Sequence, residues 1–403
     1  MKPLGPIPAG FEADERGRLL IGGVGADVHA EQGTPVFVYE GARVAAQVAR
    51  FRAAFAGVAL HYAIKANPYA PLLDAMAGLV DGFDVASACE IERVADLGLP
   101  ISFAGPGKRW ADVDRAIRTG ITLNIESEGE ALKAVALGMR LGITPKLAVR
   151  VNPPFGLRGS GMKMGGLGTQ FGIDHERVPG LARDLIEAGA EWRGLHIYAG
   201  SQSLSADALI DLQRETVALA ASIAQAVGRI PPTINLGGGF GIPYFSGDQP
   251  LDVGIVGSAL RKVLANRPEI LRDTKFSIEL GRWLVGEAGV YLTRIVDRKV
   301  SRGKTFLVTD GGLHHMLAAS GNFGQLLRRN YPVAVAGRFT DEVEEEQTIV
   351  GCLCTPLDLL ADESMLPRAE VGDLVAIFCA GAYGLSASPV NFLSQPAARE
   401  ILV

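Results

Sequence analysis

The chain is short of the features that mark several whole classes of protein. Its 403 residues include four cysteines, Cys89, Cys352, Cys354 and Cys379, with neither zinc-type spacing nor a disulfide framework. Its six histidines are scattered, with only His314 and His315 adjacent, so no metal site is expected. Charged residues are 21% of the chain and the net charge is -5, which leaves no basic footprint for nucleic acid. No apolar run approaches the length of a membrane span. The start, Met1-Lys2-Pro3-Leu4-Gly5-Pro6, lacks the apolar core of a signal peptide. A cytoplasmic location is the default expectation, with neither membrane nor nucleic acid as a partner.

What is present is a large apolar fraction, 48%, and 50 glycines. A chain of this length and composition forms more than one core, so two domains are expected. From residue 58 to residue 283, short β-rich runs alternate with amphipathic helical stretches. The expected strands are 60–65, 82–86, 101–104, 121–125, 146–151, 193–198, 233–236 and 276–279, and the clearest helices are 128–141, 176–188 and 207–227. Strands in that number, each set apart by a helix, are the pattern of a (β/α)8 TIM barrel. A helical stretch at 42–56 precedes the first strand and is expected to close the ring. Beyond residue 282 the runs 290–300, 305–309, 333–335, 348–352 and 374–379 have no regular helices between them, which predicts a separate antiparallel β-domain. The run 35–39 is assigned to that domain. The division is therefore a barrel over 41–280 and a β-domain of 1–40 and 281–403. The acidic stretch 341–346 reads as a solvated hairpin tip.

Polar residues and glycines collect at one end of every expected strand. Lys65 follows the first, Asp84 and Ser87 the second, Gly105-Pro106-Gly107 the third, and Glu126 and Ser127 the fourth. Arg150 and Asn152 end the fifth, and His196, Tyr198 and Ser201 the sixth. Gly237-Gly238-Gly239 ends the seventh, and Glu279 with Arg282 the eighth. Barrel enzymes place their chemistry at these C-terminal strand ends.

The stretch His61-Tyr62-Ala63-Ile64-Lys65-Ala66-Asn67-Pro68 is the most informative. An apolar strand ends in a lone lysine, and Ala-Asn-Pro continues neither helix nor strand. With Tyr, Ile and Ala around it, such a lysine is expected to be partly desolvated. That favours the neutral amine, which can form a Schiff base. In isolation, a lysine there is more often one that snorkels from the surface. The glycine run lacks side chains where backbone amides could cradle an anion, although a lone run serves as often as a tight turn. Arg282 and Ser201 would supply a charged donor and a hydroxyl to the same phosphate. Glu279 can face the ring nitrogen of a pyridine cofactor and keep it protonated, or can pair with a structural arginine. Together at one barrel mouth, the three features imply pyridoxal 5′-phosphate.

These residues carry a resemblance. Tyr-Ala-Ile-Lys-Ala-Asn at 62–67, Gly-Ser-Gln at 200–202, Gly-Gly-Gly-Phe at 237–240, Glu279-x-Gly281-Arg282, Cys354 and Gly381-Ala382-Tyr383 resemble the alanine-racemase-fold decarboxylases, which act on diaminopimelate, ornithine and arginine. Four further motifs are most similar to two branches of that family: Gly161-Met162-Lys163-Met164-Gly165-Gly166, Gln170-Phe171-Gly172-Ile173-Asp174, Cys354-Thr355-Pro356-Leu357-Asp358 and Phe392-Leu393-Ser394. One branch is the decarboxylases associated with exosortase A systems. The other is the butirosin-pathway decarboxylase, which acts on glutamate tethered to a carrier protein. The resemblance implies a pyridoxal-phosphate-dependent carboxy-lyase whose cofactor is held covalently by Lys65. It places Asp84, Arg150, His196, Tyr198, Glu279 and Gly281 around that cofactor, and Ser201, Gly237, Gly238, Gly239, Arg282 and Tyr383 on its phosphate. It further implies a homodimer with shared sites, in which Cys354 reaches in from the partner as the acid that protonates the carbon left by carbon dioxide.

Three departures bear on the substrate. The family's ring-stacking histidine lies three residues before the serine of Gly-Ser, where this chain has Tyr198, while His196 lies two residues earlier. Thr355 follows the cysteine where diamine-forming members carry an acid, and a threonine cannot neutralise a distal ammonium. The segment Phe392-Leu393-Ser394-Gln395-Pro396 lacks the arginine of the diaminopimelate enzymes. Thr355, Asp358, Arg328 and Tyr331 are the candidates for the substrate's far end. The substrate expected is a carrier-protein-linked, acylated or neutral amino acid. The rivals are diaminopimelate decarboxylase proper, an amino acid racemase of the same fold, and a regulatory paralogue that binds the cofactor without turnover. Racemases present arginine to the ring nitrogen, which Glu279 opposes.

Overall fold

The computed structural model describes residues 1–159, 162–166, 168–323, 325 and 327–403. Gly161, in the first of the branch motifs, lies outside the described residues. The chain divides into two units, one of Val48–Gly241 with Pro250–Gly281, the other of Met1–Gln47 with Ile242–Gln249 and Arg282–Val403.

The first unit is a closed ring of parallel strands: β1 (Ala59–Ala63), β2 (Gly82–Val85), β3 (Ile101–Phe103), β4 (Thr122–Ile125), β5 (Lys146–Asn152), β6 (Glu191–Ile197), β7 (Thr233–Asn235) and β8 (Lys275–Leu280). Each pairs with the next. β8 returns to β1 with Glu279 opposite His61, and β4 closes onto β5. This is the TIM-type barrel that the alternation of strands and helices predicts. β1 stops at Ala63, and Ile64–Ala66 form a single 3-10 turn that carries Lys65. The cause lies just downstream. Asn67 precedes Pro68 and is held in extended backbone with φ -158° and ψ 105°.

Two of the βα connections are built alike. Ser87 caps the helix Ala88–Val94 by accepting from Glu90 N–H, and Glu90 reaches back to Ala86 N–H. Ser127 caps Glu128–Leu141 by accepting from Glu130 N–H, and Glu130 reaches back to Glu126 N–H. Each serine satisfies a donor that a helix start otherwise leaves bare, and each glutamate holds the N–H of the residue just before that cap. Each pair therefore fixes the strand end just before it, where Asp84 and Glu126 sit. The early helix Gly41–Ala54 lies against Val253–Ala265, where a Cβ on Gly257 would fall 2.2 Å from Ala54 O. The ring thus closes with the helix that precedes β1.

The second unit is built on the long strand Gly289–Ser301. It pairs antiparallel with Val36–Tyr39, Leu374–Ile377 and Lys304–Thr309. The sheet is mixed, not purely antiparallel as the sequence suggests. Lys304–Thr309 runs parallel to Glu345–Val350, and Arg399–Leu402 runs parallel to Val36–Tyr39. Long connections between those partners, such as residues 310–344, make parallel pairing possible. Five strands of this unit are not legible in advance, among them the short Glu12–Ala13, Leu19–Ile21 and Val24–Gly25. Leu359–Leu366 carries two acids and a serine among its apolar residues, and Arg399–Leu402 is short. The acidic stretch is also only partly a tip. Glu345 opens a strand and holds Arg298 at 2.8 Å and Thr305 at 2.6 Å. Leu19, Ile21, Val36, Val38, Val290, Leu292 and Phe378 make the core of this unit.

Candidate active site

The turn after β1 is braced from both sides. Buried Tyr62 donates its hydroxyl to Asn67 O at 2.9 Å, and Tyr69 N–H donates to Asn67 Oδ1 at 3.1 Å. A Cβ on Gly281 would lie 2.8 Å from the Ala66 side chain, so glycine there lets the end of β8 approach the lysine turn. The partial desolvation expected of Lys65 is not provided by its own chain. Ile64 and Ala66 turn inward and are buried, while Lys65 is exposed. Its amine lies 5.8 Å from the ring centre of Tyr198.

Glu279 sits at the centre of a buried network. Its Oε2 is 3.0 Å from His196 Nε2 and accepts from Asn235 Nδ2 at 3.0 Å. Burial would raise this carboxyl, but His196, with Lys65 and Arg150 farther off, more than offsets it and holds Glu279 well below the ordinary value of 4.5. It is therefore held as a buried anion. The bland alternative of a structural arginine partner is not what the geometry shows. His196 is buried against that carboxylate, which leaves Tyr198 as the aromatic ring beside the lysine.

Asn235 has a second task. Its Oδ1 accepts from Gly237 N–H at 2.8 Å, so one amide aligns both Glu279 and the glycine run. That run is packed between strands. A Cβ on Gly238 would fall 1.9 Å from Glu279 O, and one on Gly239, whose φ is +87°, would fall 2.7 Å from Gly200 O. Beside it, the Ser201 hydroxyl is enclosed and has no hydrogen-bond partner among the described residues. An enclosed, unpartnered hydroxyl next to a side-chain-free loop fits a phosphate group. With the Glu279 anion, these residues fit pyridoxal phosphate.

Arg150 donates to Glu126 Oε1 at 3.0 Å, and Glu126 Oε2 also accepts from Gly172 N–H at 3.2 Å. Buried Lys108 pairs with Glu130 at 2.6 Å and donates to Gly105 O and Asn124 O at 2.8 Å each. Asp84 lies opposite Ala63 in the strand register, with its Oδ2 3.5 Å from His61 Nδ1. The sequence reading assigns no role to Asn235, Glu126, Lys108 or His61. Asn235 had a usable signal, as a polar residue two places before the glycine run. The partners of Glu126 and Lys108 are set only by the closed ring.

In the second unit, Arg282 donates to the Tyr244 hydroxyl at 2.9 Å and its guanidinium lies 4.6 Å from the ring centre of Tyr383. Burial pushes the Tyr244 hydroxyl up to about 12. Tyr331 is buried, its ring 4.8 Å from that of Tyr244.

Asp358, expected at the substrate's far end, clamps its own backbone. Its carboxylate accepts from Leu313 N–H at 2.6 Å and Leu353 N–H at 2.8 Å. A Cβ on Gly312 or Gly351 would lie 2.3 Å or 2.2 Å from those oxygens. Arg328 is likewise engaged, with its two Nη atoms donating to Ser320 O and Leu359 O. Cys354, between these anchors, is exposed, and Thr355 is half-buried. Among the described residues no cluster of three or more histidine, cysteine or acidic side chains is arranged to hold a metal, and no helix is long and apolar enough to cross a membrane.

Comparison with known proteins agrees with this geometry. Residues 41–286 match the model of the pyridoxal-dependent decarboxylase family, pyridoxal binding domain. The chain is 35% identical over 384 residues to the L-glutamyl-[BtrI acyl-carrier protein] decarboxylase of Niallia circulans, covering 92% of this chain and 88% of that protein. It is 32% identical over 405 residues to the diaminopimelate decarboxylase of Pseudomonas fluorescens, covering 96% and 92%. Among solved structures, the diaminopimelate decarboxylase of M. jannaschii in complex with L-lysine superposes with a TM-score of 0.85 at 26% identity, covering 98% of this chain and 92% of that one. A buried anionic Glu279, a lysine at the first strand end and a sequence match over most of the chain converge on one assignment: this protein belongs to the pyridoxal-dependent decarboxylase family.

Proposed function

We propose that the chain removes the α-carboxylate of an amino acid whose far end carries no free ammonium, such as one linked to a carrier protein or otherwise acylated. The loop around Cys354 carries this reading. Its one carboxylate, Asp358, is held by two backbone N–H groups. Thr355 is neutral, and its hydroxyl accepts from Leu357 N–H at 3.3 Å. A substrate ammonium brought to this loop finds its one carboxylate already engaged by backbone N–H groups, and desolvating an unpaired cation is costly. The similarity to the decarboxylase of carrier-bound glutamate supports the same substrate class.

Pyridoxal phosphate, when bound, supplies an electron sink for the carbanion left by departing carbon dioxide. On this reading the Lys65 amine holds the cofactor. Ser201, the amides of Gly237, Gly238 and Gly239, Arg282 and Tyr383 take its phosphate. Glu279 keeps its ring nitrogen protonated, Tyr198 covers the ring, and Asp84 and Arg150 complete the surround. Asn235 and His196 hold Glu279 in place and charged. Cys354 returns a proton to the substrate's α-carbon. Its exposure suits a group that acts outside its own chain, in a head-to-tail homodimer with shared sites.

The test is carbon dioxide release from glutamate linked to an acyl carrier protein, from N-acylated diamino acids, and from free ornithine, lysine and diaminopimelate. The expected result is a kcat/KM for a masked substrate at least tenfold above every free diamino acid. Equal or faster turnover of free diaminopimelate or ornithine refutes the substrate assignment.

A further inference from the structure

His61 lies in the register between Gly82 on β2 and Glu279 on β8. A Cβ on Gly82 would fall 2.9 Å from the ring Nε2 of His61 and 3.0 Å from its Cε1, so the glycine is what leaves room for the imidazole. Two residues along β2, Asp84 turns its Oδ2 towards His61 Nδ1 at 3.5 Å. Both side chains are mostly enclosed, with 17% and 9% exposure, and neither of these two atoms has a hydrogen-bond partner among the described residues. They face each other across a gap that charge attraction spans.

We propose that His61 is a positioning residue: it holds the Asp84 carboxylate at the barrel mouth and is the counter-cation that Asp84 and Glu279 share. Three carboxylates act on the imidazole electrostatically. Asp84 comes from β2, Asp81 from the turn before β2 and Glu279 from β8. Burial pushes the imidazole down, but these acids, Asp84 foremost, more than offset it and leave His61 above the ordinary value of 6.5. Asp81 has its own cation, Arg52 at 2.5 Å, and also accepts from Leu60 N–H at 2.7 Å. A cation beside Glu279 favours the charged form of that carboxylate. Its effect on turnover rests on the assignment of Glu279 to the cofactor ring, whereas the charge coupling is measurable without cofactor.

The test uses the full chain. Carbon-13 labelling at histidine Cε1 gives one resonance per imidazole, and the signal absent from His61→Gln identifies His61. In the cofactor-free protein it is expected to titrate above 6.5, and Asp84→Asn is expected to lower that midpoint by about one pH unit. A midpoint at or below 6.5, or one indifferent to Asp84→Asn, overturns the pairing. In the cofactor-loaded enzyme, His61→Gln is expected to move the acid limb of kcat/KM upward by about one pH unit. An unmoved limb, with the titration coupling present, overturns the positioning role and leaves the decarboxylase assignment intact. If His61→Gln does not fold, the native chain with Asp84→Asn decides the pairing, since histidine signals shifted by Asp84→Asn identify themselves.

Discussion

Asp358 offers the sharpest test of how the Cys354 loop is held. The native carboxylate accepts two backbone N–H groups from separate segments, at Leu313 and Leu353. Each hydrogen bond to a charged acceptor contributes about 1.5–3 kcal/mol. Burial also pushes the Asp358 carboxyl up, so its charge is disfavoured in the fold and the lower end of that range applies. Asp358→Asn can keep one acceptor oxygen but turns an NH2 towards the other N–H, a loss of about 2 kcal/mol. Asp358→Ala leaves both N–H groups bare, a loss of about 4 kcal/mol. In a domain of this size, 1 kcal/mol moves the melting temperature by about 2–4 °C. The expected falls are therefore about 4–8 °C and about 8–16 °C, read by thermal unfolding at neutral pH. Both variants should lower kcat uniformly across substrates, because the loop that carries Cys354 loosens. A native melting temperature in Asp358→Asn, together with a raised KM for one substrate alone, would return Asp358 to substrate binding and defeat the argument.

The remaining predictions concern the barrel. Asn235→Ala removes the amide that aligns Glu279 with the glycine run. Its cofactor Kd, read by fluorescence titration, should rise about tenfold, the equivalent of about 1.4 kcal/mol, and an unchanged Kd would show the amide to be dispensable. Because Glu279 is depressed in the fold, the stability it contributes is present above the ordinary carboxylate value of 4.5 and lost as pH falls below it. Urea unfolding from pH 7 to pH 3 should therefore show the advantage of the native chain over Glu279→Gln shrinking with acid; a constant difference contradicts the depressed carboxyl. Lys65→Ala should lose both the visible absorbance of bound cofactor and turnover, and wild-type turnover in that variant rules the assignment out. Cys354→Ala should keep the absorbance but slow the reaction or misdirect the returning proton, which carbon dioxide release and product analysis in deuterated water would detect.

The barrel strands and the helices between them were legible in the sequence because each strand is a short β-rich run and each helix repeats its apolar residues at helical spacing. β4 and the helix Glu128–Leu141 lie within a residue of their expected limits. Lys65, Glu279 and the glycine run could be read as chemistry because strand ends in a barrel point to one mouth. The β-unit was less readable. Its mixed pairing depends on which distant runs meet, and an acid-bearing strand such as Leu359–Leu366 does not announce itself locally.

What the sequence by itself determined were the residue types at each strand end, and through them the class of chemistry. Which of those residues engage one another was decided by the tertiary structure alone. Closing the ring brings Glu279 of β8 against His196 of β6 and Asn235 of β7, and it sets His61 of β1 beside Asp84 of β2. Folding the β-unit sets the Asp358 carboxylate against the N–H groups of Leu313 and Leu353. The reason is physical: a polar side chain removed from water takes whichever partner lies within about 3 Å, and residues far apart in the chain become neighbours only once the backbone has folded.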